Sequence, residues 1–202
     1  MRQLFRHTEK TFIPDLPRFT FSGKIVVVQS QHEAEQAARA LRNAPILGID
    51  TETRPAFRKG ESHKVALLQV CDGQVCFLFR LNSLDFPPCL SALLADEGVL
   101  KVGLSLKDDF LMLRHRDPDF RPGGSVDLQD VAKEMGIEDM SLQKLYANVF
   151  HMRLSKNARL TNWEADVLSE AQKVYAATDA YTCIQLYKEL LRLKESGDYE
   201  LV

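Results

Sequence analysis

The sequence lacks the signals that mark several large classes of protein. It has no apolar run long enough to cross a membrane, and Pro14 and Pro17 interrupt the polar N-terminal region where a signal peptide would carry an apolar core. It also lacks the G-x-x-x-x-G-K-[ST] loop of nucleotide-driven motors. We therefore expect a soluble, cytoplasmic protein that has no membrane partner and is not a motor.

Cysteine is scarce and positive charge is not in excess. The four cysteines form no C-x-x-C pair and have no zinc-ligand spacing, so we expect reduced, partly buried thiols rather than disulfides or structural zinc. The formal net charge of -2 excludes a protein that binds nucleic acid through its overall charge. Any such binding requires a local basic patch or metal ions.

The pattern of apolar residues predicts a mixed α/β protein. Strands are predicted at residues 24–29, 46–53, 65–70, 75–79 and 99–102, with an Asp72-Gly73 hairpin turn between the third and the fourth. Helices are predicted at residues 31–43, 105–114, 128–135, 141–149 and 169–194. Because Pro14 and Pro17 oppose a helix, residues 1–23 are predicted to form an extended arm and residues 24–202 a single domain.

Two acidic residues follow an apolar run in the second predicted strand. Asp50 and Glu52 are two apart, so both side chains project from the same face of the strand. Carboxylates held side by side at the end of a buried strand repel each other and resist desolvation, and an oxygen-binding cation such as Mg²⁺ removes both problems. The alternative is a surface strand end with two solvated acids.

Further candidate groups lie on two predicted helices. Asp108 and Asp109 both neighbour an apolar stripe on the helix at 105–114, and spacing alone does not choose between them. Tyr175 and Asp179 are four apart and share one face of the long C-terminal helix, which is apolar around most of its circumference. We therefore expect Asp179 to be partly buried and to require a counter-charge. For Tyr175 alone, a core aromatic role is the simpler interpretation.

Three segments carry a resemblance to a known family. They are GIDTET at 48–53, KVGLSLKDDFLML at 101–113 and LTNWEADVLSEAQKVYAATDAYTCIQLY at 160–187. In this order and spacing they resemble the three motifs of the DEDD-superfamily 3′–5′ exonucleases of the tyrosine-containing subgroup, as found in RNase D and Werner-type exonuclease domains. The resemblance selects Asp109 over Asp108. The sequence departs from the family pattern at Asp108, where a small residue is usual.

The resemblance implies an RNase H-like fold, a mixed β-sheet flanked by α-helices. It implies a hydrolase that releases nucleoside monophosphates from the free 3′ end of DNA or RNA with two divalent cations, Mg²⁺ or Mn²⁺. Asp50, Glu52 and Asp179 would hold the first cation, Asp50 would bridge to the second, and Asp109 would hold the second directly or through water. Tyr175 would orient the attacking water, since a tyrosine with a pKa of about 10 is a poor base.

The predicted substrate-binding residues lie mostly in one loop. The loop before the last motif carries Arg153, Lys156 and Arg159, which we predict to contact phosphates, and Trp163, which we predict to stack on a base. The alternative is a solvated loop that Trp163 anchors to the core. The backbone of Thr51, between the two strand acids, is predicted to meet the terminal nucleotide.

Two other functions remain open. One is a non-catalytic nucleic-acid-binding module on the same fold, and the other is a small-molecule phosphatase or nucleotidase that also uses two metals and carboxylates. The sequence does not decide between DNA and RNA, between single strands and recessed ends, or between oligomeric states.

Overall fold

The computed structural model describes all residues from 1 to 202 and contains eight strands and seven α-helices. The strands are β1 (Arg2–Leu4), β2 (Lys24–Val28), β3 (Leu47–Thr53), β4 (Val65–Cys71), β5 (Val75–Arg80), β6 (Lys101–Gly103), β7 (Ser125–Asp127) and β8 (Tyr199–Leu201). The helices are α1 (Gln31–Leu41), α2 (Leu81–Leu84), α3 (Pro88–Ala95), α4 (Leu106–Arg114), α5 (Leu128–Glu134), α6 (Leu142–Phe150) and α7 (Glu170–Ser196). None of the helices is long and apolar enough to cross a membrane.

Six strands form one mixed sheet in the order β2-β5-β4-β3-β6-β7. Strand β3 lies inside the sheet, antiparallel to β4 and parallel to β6. The β4–β5 hairpin turns at Asp72-Gly73, as predicted, and Gly73 supplies the positive φ of 99° that such turns need. The mixed α/β class predicted from the sequence is confirmed.

Apolar side chains cover both faces of this sheet. On one face Leu67 and Leu78 pack with residues of α5, α6 and α7, and Trp163 lies in the same cluster. On the other face Leu68 and Phe79 pack with residues of α1, α3 and α4. The strand alternation therefore sends successive residues of β3 and β4 into different layers.

The long helix α7 lies directly against β3. Its N-terminus is fixed by a capping box between Ser169 and Gln172, and it ends at Gly197, whose φ is 65°. At Gly48 a side-chain Cβ would lie 2.0 Å from the carbonyl oxygen of Ala180. Only glycine permits this approach, which brings Asp179 of α7 beside the end of β3.

The first residues of the chain pack more closely than an extended arm requires. Strand β1 pairs in parallel with β8, and Leu4 is fully buried. Ile13–Asp15 forms one turn of 3₁₀ helix that contains Pro14. The division into an arm at 1–23 and a domain at 24–202 stays a prediction.

Candidate active site

Three carboxylates from two elements converge at the end of β3. Asp50 and Glu52 project from the same face of the strand, where a register shift after Glu52 bends the chain, and Asp179 enters from α7. One oxygen atom from each of the three lies within 4.8 Å of the others. Asp179 is buried, whereas Asp50 and Glu52 are half-buried. These acids form a compact set of oxygen donors, and the alternative of two solvated surface acids does not apply.

Burial disfavours the charged form of all three acids, and neighbouring acids add to this effect for Asp50 and Glu52. Burial, reinforced by the charge of Asp179, raises the pKa of Asp50 to about 8. Burial and the charge of Asp50 raise the pKa of Glu52 to about 10. Burial raises the pKa of Asp179 to about 7, against the opposing effect of a hydrogen-bonding contact with Tyr175. A divalent cation offsets both the desolvation and the repulsion, so this donor set fits a hard cation such as Mg²⁺ or Mn²⁺.

The fourth predicted acid lies beside this set rather than in it. Asp109 is half-buried on α4, and burial followed by the charge of Asp50 raises its pKa well above the usual value. Its carboxylate accepts a hydrogen bond from the hydroxyl of Thr51. Asp108 is exposed to solvent. The structure therefore distinguishes Asp109 from Asp108, which spacing alone did not, and only Asp109 faces the acids.

The start of α4 is held by another acid, whose contact with this helix the sequence did not indicate. The carboxylate of Asp127, at the end of β7, accepts hydrogen bonds from the backbone amides of Ser105 at 3.1 Å and Leu106 at 2.8 Å. Ser105 itself has a positive φ of 65°. Asp127 thus fixes the helix that carries Asp109. Because β7 is three residues long, its sequence gives little signal for a strand.

Tyr175 stands one turn of α7 before Asp179 and faces the same group of acids. Burial, then the charge of Asp179, raises the pKa of its phenol further above the usual value. Its ring lies 6.0 Å from that of Trp163, centroid to centroid. In the metal-free protein the phenol therefore carries its proton and can donate a hydrogen bond at the edge of the acidic set.

The predicted basic residues divide between two neighbouring cavities. Arg159 and Lys156 line a cavity of about 240 Å³ together with Tyr175 and Asp179. Arg159 also lowers the pKa of Glu52 through its charge, so it lies within electrostatic reach of the acids. Arg153 is absent from this cavity and lines the adjacent one, where its Nε donates to the carbonyl of Leu16 at 2.9 Å.

The prediction that Trp163 stacks on a base is wrong. Its side chain is 0% exposed, and its indole N–H donates to the carbonyl of Arg159 at 3.4 Å. A fully buried ring offers no face to a nucleotide. Trp163 instead anchors the loop that precedes α7, which is the alternative considered from the sequence.

Two buried polar side chains on the same face of the sheet were not singled out from the sequence. Gln69 lies opposite Asp50 in the β3–β4 ladder, is fully buried, and has no partner for either amide atom, an arrangement that costs about 1–3 kcal/mol. Arg80 is 1% exposed and donates to the carbonyls of Ala165 and Asp166, which holds the loop before α7. Their signal is a polar residue inside an otherwise apolar strand.

Comparison with known proteins gives one family match. Residues 25–194 match the family model described as 3′–5′ exonuclease. Over 200 residues the chain is 33% identical to the bifunctional 3′–5′ exonuclease/ATP-dependent helicase WRN of Mus musculus. The aligned region covers 94% of this chain and 14% of that protein. It is 32% identical to a 3′–5′ exonuclease of Arabidopsis thaliana, and this alignment covers 90% of this chain and 68% of that protein. The chain thus spans a small part of the first relative.

Solved structures agree with the fold. RNase D of Escherichia coli superposes with a TM-score of 0.75 at 21% identity, over 87% of this chain and 46% of that one. At this identity the likeness concerns the fold alone. It confirms the predicted RNase H-like architecture, a mixed sheet flanked by helices.

Proposed function

The chain belongs to the 3′–5′ exonuclease family, and from that premise we propose that it hydrolyses phosphodiester bonds at the free 3′ end of DNA or RNA and releases nucleoside monophosphates. The observation that carries the proposal is the convergence of Asp50, Glu52 and Asp179 within 4.8 Å, with Asp109 and Tyr175 beside them. All five residues that the motifs assign to catalysis therefore meet in one place.

We further propose that the site takes two divalent cations, Mg²⁺ or Mn²⁺. Asp50, Glu52 and Asp179 would hold one cation, and Asp50 and Asp109 would hold the other. When bound, these ions supply charge neutralisation at the phosphodiester and activation of the attacking water. The hydroxyl of Thr51 orients Asp109, and Asp127 fixes the helix from which Asp109 projects.

The remaining residues act on the substrate and on the water. The Tyr175 hydroxyl donates a hydrogen bond that orients the attacking water toward the phosphorus atom. Arg159 and Lys156, which line the same cavity, offset the negative charge of the phosphodiester. Thr51 keeps its proposed backbone contact with the terminal nucleotide. We propose the cytoplasm as the site of this activity.

A labelled-substrate assay tests this function. Single-stranded DNA, single-stranded RNA and a recessed-3′ duplex, each 5′-labelled, are incubated with Mg²⁺, with Mn²⁺ and with EDTA. A ladder that shortens from the 3′ end and requires the cation supports the proposal, and its preferred substrate identifies the sugar and strand form. Tight binding without cleavage of any substrate would favour the non-catalytic module. Cleavage of a mononucleotide but of no oligomer would favour the nucleotidase.

The Tyr175→Phe variant separates orientation of water from binding of metal. Loss of one hydroxyl that positions the nucleophile is expected to lower kcat by on the order of 10²-fold and to leave KM and the metal requirement nearly unchanged. The measurement is steady-state kinetics over a titration of Mn²⁺. A phenol that only fills space next to Trp163 would leave kcat within about twofold of the wild type.

A further inference from the structure

A second cavity with strong positive charge lies next to the candidate active site. It has a volume of about 410 Å³, and its twelve lining residues include five cationic side chains and no acidic ones. We call it the arm cavity because part of its wall comes from residues 1–23. Its cationic residues are Lys10, Arg18, Lys144, Arg153 and Lys156.

Most of this positive charge has no counter-charge within the protein. Among the five, only Lys144 has a carboxylate within ion-pair distance, namely Asp139 at 3.5 Å. Lys10, Arg18 and Lys156 are exposed. In a chain whose net charge is -2, such a concentration of unpaired cations in one concave surface favours an anionic ligand with several charges.

The arm cavity adjoins the cavity that Tyr175 and Asp179 line. Ser141, Gln143 and Lys156 line both. Arg159 lines the second cavity together with Tyr175 and Asp179. Positive charge therefore extends from the cavity of Asp179, through the shared Lys156, into the arm cavity.

The wall that the N-terminal residues contribute is held in place by backbone hydrogen bonds. The backbone amide of Arg153 donates to the carbonyl of Pro17 at 2.9 Å, and its carbonyl accepts from the amide of Phe19 at 3.0 Å. Arg153 therefore pairs with Arg18 in an isolated parallel β-bridge. The Nε of Arg153 adds a hydrogen bond to the carbonyl of Leu16. The backbone at Arg18 is thus held against the loop that precedes α7.

We propose that the arm cavity binds phosphodiester groups of the substrate strand upstream of the 3′-terminal nucleotide. This inference rests on the proposed function, since it places the 3′ end at the acids and the preceding nucleotides along the cationic path. A strand is favoured over a free phosphate because the path continues into the active site and repeats its charges along the way. The cavity therefore determines how activity depends on substrate length.

The test is the length dependence of cleavage by a variant of the arm. Lys10→Ala combined with Arg18→Ala removes two cations that lie outside the acidic site. The matched control, Arg6→Ala combined with Lys24→Ala, removes two exposed cations that line neither cavity. The value of kcat/KM is measured for a 5′-labelled series from the dinucleotide to the decanucleotide, with the substrate class that the wild type prefers.

For the longest substrate we expect the arm variant to lose about tenfold in kcat/KM at low salt, whereas the control stays within about twofold of the wild type. For the shortest substrate that the wild type cleaves, both variants should match it. The dependence of log kcat/KM on log salt should become shallower in the arm variant by about 1.4, which corresponds to two lost contacts with a single strand.

Equal losses at every length, or a profile that matches the control, would overturn the inference and leave the proposed function intact. Absence of cleavage of any substrate by the wild type would instead overturn the proposed function, on which this inference depends. The two failures are therefore distinguishable within the same series of assays.

Discussion

Asp50→Asn is expected to abolish exonuclease turnover while it stabilises the metal-free protein. The substitution keeps the shape of the side chain and removes one ionisable group from a set of three acids whose ligand oxygens lie within 4.8 Å. Because burial and the charge of Asp179 already raise the pKa of Asp50 to about 8, its charged form is costly without a cation. We expect a loss of activity on the order of 10³-fold or more, since a proposed ligand of both cations is removed.

The stability of the same variant gives an independent readout. Removal of a buried acid whose pKa is raised by folding should raise the free energy of unfolding in EDTA by about 1–2 kcal/mol, and the melting temperature by about 2–8 °C, for a chain of this size. Saturating Mg²⁺ or Mn²⁺ should raise the melting temperature of the wild type but not that of the variant, because a ligand stabilises only the state that binds it. Differential scanning fluorimetry with and without EDTA measures both effects.

Asp108→Asn is the matched control for this prediction. It removes the same charge from an exposed position next to Asp109. We expect near-normal turnover and an unchanged response to cations. Near-normal turnover of Asp50→Asn, or equal losses in both variants, would contradict the assignment of Asp50 as a ligand.

Gly48→Ala is expected to damage both stability and activity through geometry alone. A Cβ at this position would lie 2.0 Å from the carbonyl oxygen of Ala180, an atom of the α7 backbone that cannot rotate away. The helix must therefore shift outward, at a cost of about 1–3 kcal/mol, which lowers the melting temperature by about 2–12 °C. Asp179 directly precedes Ala180 in α7 and moves with it, so the group of acids opens.

A displacement of about 1 Å at a catalytic group lowers turnover by on the order of 10²-fold. We therefore expect Gly48→Ala to lose activity even at temperatures where it stays folded, as measured by kcat together with circular dichroism. Gly98→Ala is the control, because a Cβ there meets only a side-chain oxygen of Asp96 at 3.3 Å. A Gly48→Ala protein with normal kcat would show that the close packing of α7 on β3 does not position the site.

The acidic site was largely predictable from the sequence because it depends on local periodicity. Alternation along a strand places Asp50 and Glu52 on one face, and the four-residue spacing on a helix places Tyr175 above Asp179. The ordered motifs predicted the exonuclease family, and the match over residues 25–194 confirms it. The choice of Asp109 over Asp108 needed either the family resemblance or the structure, since their spacing to the apolar stripe is equivalent.

The predictions that depended on contacts between distant segments succeeded less well. The sequence does not show that the core closes over Trp163, and for this reason the prediction that its ring stacks on a base was wrong. The pairing of β1 with β8 joins the two ends of the chain through three-residue strands, which are too short to show a period. The role of Arg153 depends on its bridge with Arg18, and no local pattern in either segment indicates that pairing.

The central claim is that Asp50, Glu52 and Asp179 hold a divalent cation for 3′-end cleavage. Anomalous diffraction from crystals of the protein grown with Mn²⁺ tests it most directly, since the ion identifies its own position. We predict an anomalous peak among these three carboxylates in the wild type, and no peak there in Asp50→Asn. An Mn²⁺ ion found elsewhere, with this group of acids empty at saturating concentration, would contradict the account.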